Sequence, residues 1–113
     1  MTETEFIALA DRTLASIGSA LDRALDSSDV DCDWSQNDGI LEIDCPDGGK
    51  LIINRHAVNR EIWVAARTGG FHFRIQGGAW VDTRSGRELG AEVSRLLLEQ
   101  AGLAIDLAAL AAG

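Results

Sequence analysis

The chain has 113 residues, 46% of them hydrophobic, with 18 acidic against 10 basic side chains and a formal net charge of −8. That length suits one domain around one core and is too short for two, so residues 1–113 are expected to form a single domain. The acidic balance argues against nucleic acid and anionic lipid as partners. Neither an export signal nor a run of about 18 apolar residues is present, so a cytoplasmic protein outside the membrane is expected.

Residues 3–26 predict an amphipathic helix, since Phe6, Leu9, Ala10, Thr13, Ile17, Ala20, Leu21 and Ala24 recur at spacings of three and four. Thr2 followed by Glu5 has the spacing of a capping box. On the opposite face Asp11, Asp22 and Asp26 fall within an arc of about 60°. Ser27-Ser28-Asp29 breaks the pattern, and the period then changes to two: Val30, Cys32 and Trp34 alternate with Asp29, Asp31 and Asp33. This predicts a half-buried strand with an aspartate outer edge. Asn37-Asp38-Gly39 signals a hairpin into Leu41–Cys45, and Pro46-Asp47-Gly48-Gly49 turns the chain into Leu51–Asn54. Further strands are predicted over Ile62–Ala66, Phe71–Ile75 and Ala79–Asp82, separated by glycine pairs. Helical spacing returns from Leu89 to Gln100, with Gly102 as its stop. The tail from Leu103 either extends this helix or lies along the groove between the helices. The order predicts an α+β fold, a two-layer sandwich with two helices on one face of an antiparallel sheet of about six strands.

Charge is unevenly placed. Residues 1–49 hold twelve acidic residues against Arg12 and Arg23, whereas the remainder holds six against eight basic ones. Outward aspartates on a strand lie about 6.6–6.8 Å apart and repel by roughly 0.6 kcal/mol per pair in bulk water, more near a protein surface. A hard di- or trivalent cation would relieve that cost through oxygen ligands. Asp22, Asp26, Asp29, Asp31 and Asp33, with Asp11 further along the helix, are therefore the candidate metal ligands. A solvated face that keeps the protein soluble is the competing explanation. Without a histidine or cysteine pair beside the carboxylates, such a site would be open and weak. If Ile62, Val64 and Ala66 face the helices, Trp63 points outward, as does Asn54. An exposed Trp beside a polar neighbour suits a protein partner, unless the Val58–Arg60 loop covers it. His56 and His72 lack a nucleophile motif, and the glycine pairs lack the strand-to-helix setting of a phosphate loop, so no enzyme is expected. Cys32 and Cys45 read as reduced core thiols.

These segments resemble the frataxin family, in its bacterial branch. The likeness runs from about Glu3 to Gln100, through Glu5-Phe6 with Leu9-Ala10-Asp11, Asp29-Val30-Asp31-Cys32, Gly39-Ile40-Leu41 and Ile52-Ile53-Asn54-Arg55. It continues in Ile62-Trp63-Val64-Ala65, Gly69-Gly70-Phe71-His72-Phe73, Trp80 and Arg84-Ser85-Gly86. The resemblance implies a protein of iron-sulfur cluster assembly that binds Fe(II) or Fe(III) weakly on the aspartate ridge. It further implies regulation of the cysteine desulfurase beside its scaffold machinery, iron donation, and a monomer in the absence of metal. Partner contacts are implied at Asn54 and Trp63, with His56 and Arg55 adjoining them. An iron oxidase or storage protein using the same carboxylates, and an acidic adaptor with no metal role, are the alternatives. The chain departs from the family pattern at Gly18 and Ser19, positions often acidic in relatives. It departs again at His56, in place of a usual Gln, in a longer first hairpin around Ser35–Asp38, and in the Ala/Leu-rich tail.

Overall fold

A computed structural model describes residues 1–108 and 110. Helix α1 spans Glu3–Asp26 and begins on the expected capping box, with the Thr2 hydroxyl accepting from Glu5 N–H while the Glu5 carboxylate accepts from Thr2 N–H. Six strands follow as an antiparallel meander in sequential order: β1 Asp33–Asn37, β2 Ile40–Asp44, β3 Lys50–His56, β4 Glu61–Ala66, β5 Gly69–Gln76 and β6 Ala79–Asp82. Helix α2, Leu89–Ala101, closes the order. The two-layer sandwich expected from the sequence is the architecture observed.

Alternation along the strands separates the two faces of the sheet. Leu41, Ile43, Leu51, Ile53, Ile62, Val64, Phe73 and Trp80 are buried against the helices together with Phe6, Leu14, Ile17 and Leu21 of α1 and Val93, Leu96 and Leu97 of α2. Phe6 meets Trp80 edge-on at 5.9 Å between ring centroids. Trp80 carries a polar atom into this core, and its indole N–H donates to the Thr13 hydroxyl at 3.0 Å, which in turn donates to the Leu9 carbonyl. A second buried polar group, Glu92 of α2, is held by Arg95 and Arg87. The Arg95 hydrogen bond, ahead of the opposing effect of burial, keeps its carboxyl below the ordinary range.

The first strand begins later than its periodicity suggests. Asp38 and Gly39 form a two-residue turn with φ of 50° and 78°, so Asn37 pairs with Ile40 and Asp33 with Asp44. Because β2 ends there and turns at Pro46, Asp29–Cys32 has no neighbouring strand, although burial of Cys32 and exposure of Asp31 preserve the alternation. Ser35–Asn37 are strand residues, so the hairpin loop itself is short. At the other end, α2 stops on Gly102 in the left-handed conformation, φ 68°. The tail does not extend the helix. Leu103 and Leu107 join the core, and Leu107 packs so close to Gly90 that a Cβ there would lie 2.9 Å from its carbonyl oxygen. The remainder, residues 109 and 111–113, lies outside the described residues.

Thr13→Val retains volume but strands the Trp80 indole N–H without an acceptor in the core. A loss of about 1–3 kcal/mol is expected, to be read from urea unfolding followed by tryptophan fluorescence, with the m-value unchanged.

Candidate functional site

The six aspartates proposed as ligands do not share one environment. Asp11 pairs with Arg55, which also reaches Asp38 at 3.5 Å. Asp22 accepts a hydrogen bond from the Trp34 indole at 3.0 Å. That bond reflects how β1 meets α1: the Trp34 ring lies across the helix at Gly18, where a Cβ would stand 2.7 Å from Cη2. Glycine within a helix costs about 0.5–1 kcal/mol relative to alanine, and here it makes room for the indole. The departure at Gly18 thus has a packing cause. By contrast Asp26, Asp29, Asp31 and Asp33 are exposed, and their carboxylates make no hydrogen bond or ion pair among the described residues.

Most other carboxylates of the acidic half are neutralised by bases from the second half. Lys50 lies 3.3 Å from Glu42 and 3.8 Å from Asp44, Arg67 pairs with Asp47, and Arg55 holds Asp11 and Asp38. Between Asp22 and Asp33 no basic side chain is paired to a carboxylate among the described residues. The surplus charge is therefore concentrated where α1 ends and the chain enters β1, at one edge of the sheet. Alternation puts Asp33 on the face of β1 opposite Trp34 and hence opposite Asp22, so the ridge wraps that edge instead of lying on one plane. Among the described residues no three His, Cys, Asp or Glu side chains converge closely enough to cage an ion. An incoming cation would meet separate carboxylates.

The open face of the sheet carries the second candidate. Asn54 pairs across the strands with Trp63, and Trp63 with His72. The Trp63 indole is stacked between two imidazoles, His56 at 3.8 Å and His72 at 4.4 Å between centroids, with interplanar angles of 8° and 11°. These rings, from β3 and β5, flank the half-buried Trp63 on both sides. His56 Nδ1 is buried and has no hydrogen-bond partner among the described residues. Arg55 is not part of this face: it shares the parity of Leu51 and Ile53 and lies on the helix side, where Asp11 receives it. The grouping of Arg55 with Asn54, His56 and Trp63 is thereby corrected, because neighbours in a strand point to opposite faces.

Glu61 was not singled out by the sequence, yet it anchors the open face. Although only 4% exposed, it accepts from the Trp63 indole at 2.7 Å and pairs with Arg74, with His72 Nδ1 at 3.9 Å. Burial alone would push its carboxyl up; the hydrogen bonds from Trp63 and Arg74, with the charges of Arg74 and His72, outweigh it and hold the group below its ordinary value of 4.5. The signal was available in the spacing, since Glu61 and Trp63 are two apart on one strand and share a face.

A small α/β sandwich with an unneutralised carboxylate edge and a tryptophan-centred open sheet is the class of protein these features define. The frataxin-like domain matches residues 1–103, and the chain belongs to that family. Similar curated proteins include the iron-sulfur cluster assembly protein CyaY of Cupriavidus metallidurans, 42% identical over 95% of this chain and 96% of that one. The protein of the same designation in Dechloromonas aromatica is 49% identical over 95% and 99%. Among solved structures, frataxin from Psychromonas ingrahamii superposes with a TM-score of 0.84 at 32% identity, covering 94% of this chain and 97% of that one. Trimeric yeast frataxin, in its ferrous complex, shares the fold at a TM-score of 0.72 and 23% identity over 80% and 83%.

Replacing Glu61 by Gln keeps an acceptor for Trp63 but discards the ion pair, and exposure of Arg74 limits the expected loss to about 1–2 kcal/mol. A carboxyl whose folded pKa is depressed contributes fully above its unfolded value and loses that contribution as pH falls through the folded one. The Tm gap between wild type and Glu61→Gln should be largest near neutral pH and close on acidification below 4.5. Thermal unfolding across pH 3 to 7 (on the order of five points) checks this.

Proposed function

We propose that this chain serves iron-sulfur cluster assembly in the cytoplasm as a non-catalytic protein that binds Fe(II) or Fe(III) weakly and regulates the cysteine desulfurase. The shared designation of its curated relatives supports the assembly role. The observation that carries the metal assignment is the lack of basic partners between Asp22 and Asp33, whereas Asp11, Asp38, Glu42, Asp44 and Asp47 of the same half each have one. Carboxylates held apart and exposed favour hard, hydrated cations over soft ones. Asp26, Asp29, Asp31 and Asp33 are the ligands this reading prefers; Asp11 is set aside by Arg55 and Asp22 is shared with Trp34. The same edge would dock on a basic patch of the desulfurase, and the open face around Asn54, Trp63 and His56 would supply a second, apolar contact.

Anaerobic titration with Fe(II) while following backbone amide resonances tests the site. Broadening is expected at residues 26–33. Asp29→Asn with Asp31→Asn and Asp33→Asn should lower iron uptake at least severalfold while leaving Tm equal or higher, because repulsion is removed along with the ligands. Unchanged iron stoichiometry in that triple variant would overturn the assignment. The absence of a converged ligand cage among the described residues also favours a second reading, an acidic adaptor acting without metal. Desulfurase affinity that is unaffected by chelator but lost in the triple variant would select it.

A further inference from the structure

The chain has two cysteines, both free and buried, and each lies one residue beyond the last pair of the β1–β2 ladder. The β1–β2 ladder runs from Asn37 opposite Ile40 to Asp33 opposite Asp44, so one further step sets Cys32 opposite Cys45. Residue pairs in an antiparallel ladder alternate between hydrogen-bonded and non-hydrogen-bonded sites. The backbone of Cys45 shows which kind this is: its N–H donates to the Gly49 carbonyl at 2.8 Å and its carbonyl accepts from Gly48 at 3.0 Å, so both groups are engaged on the β3 side. Extended by one step, the ladder would set Cys32 opposite Cys45 at a non-hydrogen-bonded position, where opposed Cα atoms lie about 4.5 Å apart. A disulfide spans Cα separations of about 4.4–6.8 Å. Both side chains are buried on the helix side, at 8% and 5% exposure. Gln100 of α2 donates to Cys45 Sγ at 3.4 Å, which holds that sulfur in place.

We propose that Cys32 and Cys45 form an oxidisable dithiol whose disulfide ties the otherwise unpaired approach to β1 onto the end of β2. The oxidant is a peroxide. One thiol attacks it, the O–O bond breaks, and a sulfenic acid and one water result; the second thiol then displaces the hydroxyl from the sulfenic sulfur as a second water, closing the S–S bond. Two thiols are oxidised and one peroxide is reduced. The bond anchors the residue between Asp31 and Asp33, so redox state fixes or frees the carboxylate-bearing segment. The inference rests on the ladder and not on the iron assignment.

Hydrogen peroxide applied to the intact, folded chain tests it. Expected are a monomer lighter by two hydrogens, simultaneous loss of both free thiols, a linked peptide containing Cys32 and Cys45, recovery with dithiothreitol, and a higher Tm for the oxidised form. Cys45→Ala should instead leave Cys32 to form sulfenic or sulfinic acid. Three results overturn the proposal in the wild-type chain, which needs no variant to fold: both thiols intact after exposure that oxidises the urea-unfolded chain, sulfinic acid at one cysteine beside a free thiol at the other, or disulfide-linked dimers in place of the intramolecular bond.

Discussion

One guanidinium sets three parts of this molecule against each other. Arg55 leaves the end of β3 on the helix side, pairs with Asp11 of α1 and reaches Asp38 in the β1–β2 turn. Its side chain fills the space beside Gly39, where a Cβ would come within 2.7 Å, and the backbone N–H of Arg55 donates to the Gly39 carbonyl. First helix, first hairpin and central sheet thus share a fixed point. The register of that hairpin decides what faces what: with Asn37 opposite Ile40, Trp34 meets α1, Cys32 enters the core and Asp33 faces away. A slip of one residue would reverse all three, since side chains alternate with a period of two.

The same ion pair bears on the electrostatics of the edge. Arg55, Lys50 and Arg67 come from the half of the sequence with a basic surplus, and each returns to a carboxylate of the acidic half. Folding therefore sorts the charges, and the longest run left unneutralised is the stretch where α1 gives way to β1. Charge alone in the sequence resembles a solubility device, whereas charge left over after pairing is local. Trp34 sharpens the boundary by donating its indole N–H to Asp22, which ties that carboxylate to the hairpin.

Much of this was legible beforehand because the periods are clean. The 3.6-residue recurrence from Phe6 to Ala24, the capping box at Thr2 and Glu5, and the glycine-marked turns gave both helices and the meander. Less legible were features that depend on where a partner strand ends. Asp29 and Asp31 alternate as strand residues should, but β2 has already turned away when they arrive, so pattern without a neighbour produced no ladder. Arg55 sits next to Asn54 in sequence and on the other face in space, and Asp11 takes it there. Glu61 escaped notice because a carboxylate two residues from a tryptophan reads as solvated until the imidazole, indole and guanidinium around it are assembled from three strands. Gly18 looked like a missing acid; its meaning lay in an indole some sixteen residues further along the chain.

The run of aspartates without basic partners gives the molecule a negative pole. That pole lies at the sheet edge near β1, away from the α2 side where Glu92 is already shared between two arginines. A cation or a basic surface approaching within a Debye length, about 8 Å at physiological ionic strength, is turned toward that pole before any contact forms. Orientation of this kind acts on the rate of encounter more than on the lifetime of the complex, so the arrival of partners at this edge is governed by ionic strength.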